Sequence, residues 1–241
     1  MKFVSFIWAD GMPAPQDLAV IQRELPAWVK DVDSRGVRLF GRELDLPDTA
    51  ATVRVRDGET LVTDGPFAET KEFVAGFDLL ECADIRDAIE AAVKCPIALF
   101  QAIEIRPFLD GTKLSEEAFA FGRADASAAS PYLLSMWSGG RAAAQVDDQA
   151  VKDQGEAWRQ NLVAHGNHVL GSALGGADTA VTVRVRDGKP LLSNGPCTGI
   201  QEFIAGIEVV NCADRQQALD VAAAHPFAHD HAIEVRPFYC E

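Results

Sequence analysis

Asp64, Glu69, Lys71 and Glu72 place three carboxylates and one ammonium within nine residues, around the pair Gly65-Pro66. Sheltered in a cleft, such a set suits general acid/base work, with a carboxylate taking a proton and the ammonium orienting a ligand or balancing charge. The same residues also serve plain turn chemistry, because an Asp before Gly-Pro bonds its own backbone and exposed Glu and Lys are solvated. A second group, His225, His229, Asp230 and His231, puts three imidazoles within seven residues. Imidazole titrates near neutrality, so His229 or His231 reads as a proton-transfer partner for Asp64 or Asp230. A metal site is not expected there: Pro226 breaks the helical register between His225 and His229, and no outside ligand is evident. Arg54 and Arg56 alternate on one segment and suit the steering of an anion, or simply an exposed face. Glu104 with Arg106 suits either charge balance at a site or a buried structural pair. Cys95 and Cys197 lack a local His and Asp arrangement to activate a thiolate and read as buried or incidental thiols.

The elements that must position these residues come in two copies. Residues 36–108 recur as 166–238 at a constant offset of 130, with 33 identities in 73 ungapped positions. Trp28 and Trp158 extend the register upstream, and Trp8 and Trp137, 129 apart, show that the first loop differs by one residue. The reading is a repeat over 1–108, a linker over 109–130 and a second repeat over 131–241. In the linker, 122–130 is small and polar, after a short helix expected at 115–121.

Within the first copy, Lys2 to Trp8 reads as a strand. Leu18, Ile21, Leu25, Trp28, Val29 and Val32 recur at helical spacing, and Pro26 should kink or restart that helix. Gly36 and Gly166 suit helix C-terminal turns. Val37 to Leu44 is a strand, and Ala51 to Arg56 with Thr60 to Thr63 flank Asp57-Gly58, a hairpin signal. Phe73 to Cys82, apolar on both alternations apart from Asp78, fits a strand covered on both faces. Asp84 caps a helix that Pro96 closes, and Ala102 to Arg106 is the last strand. Strand, helix, strand, hairpin, strand, helix, strand is the split βαβ plan of a ferredoxin-like α+β domain with an inserted hairpin. Helices on one face leave the other face of each sheet to be covered. The duplication supplies a partner sheet, so the expectation is a pseudo-twofold, barrel-like intramolecular dimer with a cleft between the repeats.

The runs Val53-Arg54-Val55-Arg56-Asp57-Gly58, Thr63-Asp64-Gly65-Pro66-Phe67-Ala68-Glu69-Thr70-Lys71-Glu72, Gly76-Phe77, Cys95-Pro96 and Ile103-Glu104-Ile105-Arg106-Pro107 resemble the YciI-related family, in its branch marked by an Asp-Gly-Pro-Phe signature. The resemblance covers both copies and leaves out the linker. It implies dimeric α+β barrels with ferredoxin-like protomers. It also implies a His and Asp pair as the site, with a dehydrochlorinase-like branch and members that adjoin extracytoplasmic-function sigma factors. The second copy departs from the signature: Asp64, Phe67, Glu69 and Lys71 become Asn194, Cys197, Gly199 and Gln201, while Gly195, Pro196 and Glu202 persist. The loop shape is kept and ionisable groups are lost, so only the first copy is equipped for chemistry.

A chain with 36 acidic and 22 basic residues, net charge −14, repels a phosphate backbone, which argues against nucleic acid as a partner. The opening Phe3 to Trp8 is too short for a membrane span and lacks a cleavage site, so neither a membrane nor a secretion signal is expected. Five cysteines without paired spacing, two of them (Cys82 and Cys212) at equivalent places in apolar strands, suit buried thiols in a cytoplasmic protein. P-loop, dinucleotide, CxxC and HExxH motifs are all missing, so no cofactor is expected. The expected activity is cofactor-free proton transfer on a small molecule, an elimination or isomerisation. Asp64, His229, His231 and Glu72 are the catalytic candidates. Arg54, Phe67, Lys71, Arg106, Asn194 and Glu202 are the candidates for holding the substrate. The alternative is a non-catalytic ligand-binding or regulatory module linked to a sigma factor. In either case the chain is an intramolecular pair of repeats that can pair further as a homodimer.

Overall fold

The computed structural model describes residues 1–68, 71–109, 130–139, 149–198 and 202–240. The linker between Leu109 and Ser130, its expected short helix, and Glu69 lie outside the described residues. The chain is α+β, and both repeats follow the expected element order. The first repeat runs β1 (Lys2–Ala9), α1 (Pro15–Ser34), β2 (Arg38–Glu43), β3 (Ala51–Arg56), β4 (Glu59–Asp64), β5 (Phe73–Glu81), α2 (Ile85–Lys94) and β6 (Ala102–Pro107). The second runs β7 (Ser130–Gly139), α3 (Gln149–Ala164), β8 (His168–Ala173), β9 (Val181–Arg186), β10 (Lys189–Asn194), β11 (Glu202–Cys212), α4 (Arg215–Ala223) and β12 (Ala232–Pro237). None of the described helices is long and apolar enough to cross a membrane.

In space the chain forms two compact units that interleave the repeats. Unit 1 gathers Met1–Glu43, Thr70–Asp110 and Leu174–Gly199, and unit 2 gathers Leu44–Glu69, Gly111–Ala173 and Ile200–Glu241. Unit 1 is a six-stranded antiparallel sheet in the order β10-β9-β6-β1-β5-β2. Unit 2 repeats that order as β4-β3-β12-β7-β11-β8. The hairpin inserted in each repeat is therefore the edge of the sheet built by the other. In unit 1 Val183 stands opposite Ile103, and in unit 2 Val53 stands opposite Ile233. Each hairpin turns at an Asp-Gly pair with both residues at positive φ, 53° and 81° for Asp57-Gly58 and 51° and 70° for Asp187-Gly188. That geometry matches the twist of two antiparallel strands and suits Gly and Asp.

The helices cover one face of each sheet. In unit 1 Ile103, Ile105, Val183 and Val185 pack with Ala88 and Ala92 of α2, and Leu25 and Trp28 of α1 close over them. In unit 2 Val53, Val55, Ile233 and Val235 pack with Ala218, Leu219 and Ala222 of α4 and with Trp158 and Leu162 of α3. Trp28 Nε1 donates to the Ala91 carbonyl and Trp158 Nε1 to the Val221 carbonyl, both at 3.1 Å, which explains why this pair of indoles recurs. Asp84 caps α2 by accepting from the N–H groups of Arg86 and Asp87. Contrary to a restart at Pro26, α1 runs through it. Pro26 and Gln22, whose carbonyl loses its bond, both lie on the exposed side, where water accepts what the helix gives up.

A buried carboxylate under the first helix of each repeat explains two glycines. Asp78 pairs with Arg38 at 2.6 Å, and Glu208 takes Arg159 Nε at 2.7 Å and His168 Nε2 at 2.8 Å. A Cβ at Gly41 would sit 1.9 Å from Asp78 Oδ1, and one at Gly171 would sit 1.4 Å from Glu208 Oε2. A side chain at either glycine would push the acid off its present seat.

Candidate functional site

In unit 2 the hairpin of the first repeat is fixed at both ends. At its turn, Arg56 donates to the carbonyls of Ala228, His229 and Asp230, so this guanidinium anchors backbone. At the other end, Gly65 adopts φ 100°, its N–H donates to the Ala50 carbonyl, and Thr52 Oγ1 donates to the Gly65 carbonyl at 3.2 Å. The Asp-Gly-Pro-Phe run is thereby presented to strands of the second repeat. The Phe67 N–H donates to Glu234 Oε2 at 3.0 Å. Its ring stacks on Trp137 with centroids 5.1 Å apart, and the Arg54 guanidinium lies 5.3 Å from the Phe67 centroid. Glu234 is buried and also receives Arg236.

Asp64 is the last residue of edge strand β4, and 85% of its side chain is exposed. It forms one wall of a cavity of about 310 Å³ lined by Asp45, Asp48, Thr49, Tyr132, Arg215, Val235 and Pro237. Arg215, the first residue of α4, donates to Asp64 Oδ1 at 2.6 Å. Tyr132 is 7% exposed, and burial raises its phenol above the usual range, with the charge of Asp214 acting the same way and that of Arg215 opposing. The cavity thus brings together a carboxylate, a guanidinium and a phenol that stays protonated at neutral pH.

The equivalent place in unit 1 keeps the frame and loses these groups. Gly195 again has φ 100°, and the Cys197 N–H donates to Glu104 Oε2 at 2.8 Å. Arg184, the counterpart of Arg54, donates to Cys197 Sγ at 3.4 Å. Arg106 is buried against Glu104 at 3.3 Å and donates to the Gly175 carbonyl. Burial holds the Glu104 carboxyl above the usual range, against the stabilising N–H of Cys197 and the charge of Arg106; Phe6 stands opposite Glu104 in the sheet, where unit 2 has Ser135 opposite Glu234. At the positions of the unit 2 cavity, Asp45, Asp64, Tyr132 and Arg215 become Gly175, Asn194, Phe3 and Ile85.

The expected site residues divide between the units. Asp64, Arg54, Phe67, Glu202, His229 and His231 belong to unit 2, and Glu72, Lys71, Arg106 and Asn194 belong to unit 1. The pairing of Asp64 with His229 or His231 is corrected by the hairpin itself. Asp64 stands opposite Ala51, while the His segment is held by Arg56, five residues along β3 and so roughly 16 Å away at strand rise. The imidazoles have structural work instead. His225 caps a short turn by accepting from the Phe227 N–H, packs edge-on to Trp158 with centroids 4.5 Å apart, and is lowered by burial to about 4. His231 stacks on Phe227 at 4.3 Å, and burial lowers its pKa as well. His229 is exposed and serves through its carbonyl. Lys71 and Asn194 are exposed, and Glu202 packs on Gly139. Glu72 acts electrostatically on Cys197, whose thiol burial pushes up to about 11, so it is no nucleophile at neutral pH. Among the described residues, no group of three or more His, Cys, Asp or Glu is placed to hold a metal ion. Tyr132, Arg215 and Asp45 were not singled out by sequence. The available signal was their replacement by Phe3, Ile85 and Gly175 in the other copy.

A model of the YCII-related domain matches residues 1–110 and again 135–239. The chain belongs to the YCII-related family. An uncharacterized protein of Rhizobium meliloti (strain 1021) is 54% identical over 48 residues, 20% of this chain and 39% of that protein, so the match spans less than half of that relative. The crystal structure of a protein named "Putative Chlorite dismutase" aligns over 99% of this chain and 95% of its own, with a TM-score of 0.43 and 9% identity. In this YCII-related chain the two family matches follow the two repeats, while the cavity around Asp64 draws on both: Asp45 to Asp64 from the first, Tyr132 to Pro237 from the second.

Proposed function

We propose that the chain acts on a small polar molecule in the unit 2 cavity by cofactor-free proton transfer, in an elimination, dehydrochlorinase-like, or an isomerisation. Asp64 accepts the proton from a substrate carbon. Arg215, released from Asp64 as substrate enters, meets the negative charge that builds up on the substrate, and Tyr132 donates a hydrogen bond to the same region. Phe67, held between Arg54 and Trp137, fixes the loop that carries Asp64. One observation carries the reading: an Asp, an Arg and a Tyr converge on one cavity, and the other unit keeps the fold with Asn194, Ile85 and Phe3 in their places. The fold therefore does not need those groups.

The test is Asp64→Asn, which installs the residue of the second copy. With a substrate found by screening metabolites for thermal stabilisation of the full chain, turnover should fall by about 10²-fold or more, the usual contribution of a positioned base, while binding persists. Unchanged turnover removes Asp64 from the mechanism. A second reading, a ligand-binding or regulatory module working alongside a sigma factor as the family resemblance implies, draws support from the open setting of Asp64 and its neutralisation by Arg215. It predicts the same ligand binding with no turnover to lose.

A further inference from the structure

The charges around the cavity do not cancel. Asp45, Asp48 and Asp64 against Arg215 leave a formal −2 (three negative, one positive), and Arg215 is already committed to Asp64. Asp45 uses Oδ1 to accept the Leu46 N–H at 2.8 Å, and neither Asp45 nor Asp48 has a cationic partner among the described residues. Independently of the acids, Tyr132 lines the same cavity with its ring in the unit 2 core, and its hydroxyl has no hydrogen-bond partner among the described residues. The side chain is more than nine-tenths buried, yet its oxygen stays open to the cavity, free to meet a ligand there. Packing alone does not call for the hydroxyl, since Phe3 fills the equivalent place in unit 1. The floor, Val235 and Pro237, is apolar.

We infer that the cavity takes a compact organic cation, a primary ammonium on a short apolar body, whose N–H groups meet Asp45, Asp48 and the Tyr132 oxygen while the body lies on Val235 and Pro237. An ammonium is a point donor with three N–H groups, which suits two carboxylates and one phenol around a small volume. About 310 Å³ is at the small end of ligand sites and fits a molecule of a few heavy atoms. A metal ion is the poorer occupant, because the carboxylates do not converge in a group of three. The net charge of −14 draws cations toward the protein. This inference rests on the proposed function in treating the cavity as the working site, and it names the class of molecule bound there.

The test uses butylamine, butan-1-ol and butyrate as probes against the ¹⁵N-labelled full chain, followed by amide shifts. Butylamine should perturb the amides around Asp45, Thr49, Tyr132 and Arg215 and bind at least about tenfold more tightly than the isosteric alcohol, with butyrate weakest. Asp45→Asn with Asp48→Asn should weaken butylamine by about tenfold or more, and Tyr132→Phe severalfold. Asp178→Asn, at the equivalent place in unit 1, should change nothing. The inference is overturned if the alcohol binds as well as the amine, if butyrate is preferred, if the double variant still binds amine, if calcium saturates these amides instead, or if butylamine perturbs none of them. Asp64 is intact in every variant and turnover is not read. Failure here therefore leaves the proton-transfer role of Asp64 standing, and failure of the Asp64→Asn turnover test leaves this binding result standing.

Discussion

The backbone N–H of Phe67 donates to the carboxylate of Glu234 across 167 positions of sequence, and that carboxylate in turn holds buried Arg236. Glu234 is thus the joint between the signature loop of one repeat and the last strand of the other. Glu234→Gln keeps an acceptor for Phe67 but removes the carboxylate that is ion-paired with buried Arg236. Breaking a buried pair in this way costs about 3–5 kcal/mol, whereas replacing both members by apolar groups of similar size is close to neutral. Urea denaturation should therefore show Glu234→Gln much less stable than the parent, with Glu234→Gln/Arg236→Met recovering most of the loss. If the double variant is as unstable as the single one, the cost lies in the Phe67 contact and not in the broken ion pair.

Gly171→Ala should destabilise by about 3 kcal/mol or more, beyond the usual overpacking penalty, because the new methyl falls 1.4 Å from Glu208 Oε2 and displaces an acid that holds both Arg159 and His168. Thermal melting reads the loss. An equally steep loss is expected for Gly41→Ala, against Asp78. A mild effect at either position would mean that the carboxylate has another seat.

Acid should weaken the protein through His225. Its folded value of about 4 lies below the ordinary 6.5, so between these values the unfolded chain binds a proton that the native state refuses. The contribution is fully present above pH 6.5 and drains away as pH falls toward 4, to a total of roughly 3 kcal/mol. His225→Asn keeps a cap acceptor for the Phe227 N–H and removes the titration. It should be less stable at pH 7.5, through lost packing on Trp158, yet lose less on going to pH 4.5. Parallel urea midpoints for the two proteins across that range would contradict the assignment.

Most of the fold was legible because its signals are local. Hairpin residues Asp57-Gly58, the Asp84 cap and the apolar runs each specify their own element, and the repeat doubles every signal. The exchange of hairpins was not legible, since Thr52 to Gly58 and Thr182 to Gly188 are identical and Val53 fits opposite Ile233 as well as Val183 fits opposite Ile103. Local sequence holds no information about which sheet receives which hairpin. For the site, Asp64 was legible from its signature. Its companion Arg215 lies 151 residues away, and Tyr132 sits in a strand whose pattern reads only as apolar. The His cluster misled because spacing shows composition and not burial: His225 and His231 are packed against Trp158 and Phe227.

The exchange makes its own prediction for a chain cut in the linker. A fragment of residues 1–109 carries β1, β2, β5 and β6 but lacks β9 and β10, so the edge of β6 and the apolar surface around Ile103 and Ile105 are left for a partner. The same fragment carries β3 and β4, which match β9 and β10 in sequence and have no β12 on which to lie. Two copies satisfy each other by a mutual exchange of hairpins, the closed form that such a swap favours. Sedimentation should show this fragment as a dimer. Adding the fragment 130–241 should convert it into a one-to-one complex, because Phe67 then recovers Glu234 and Trp137. A fragment that sediments as a folded monomer would mean that β3 and β4 can close on β6 of their own repeat.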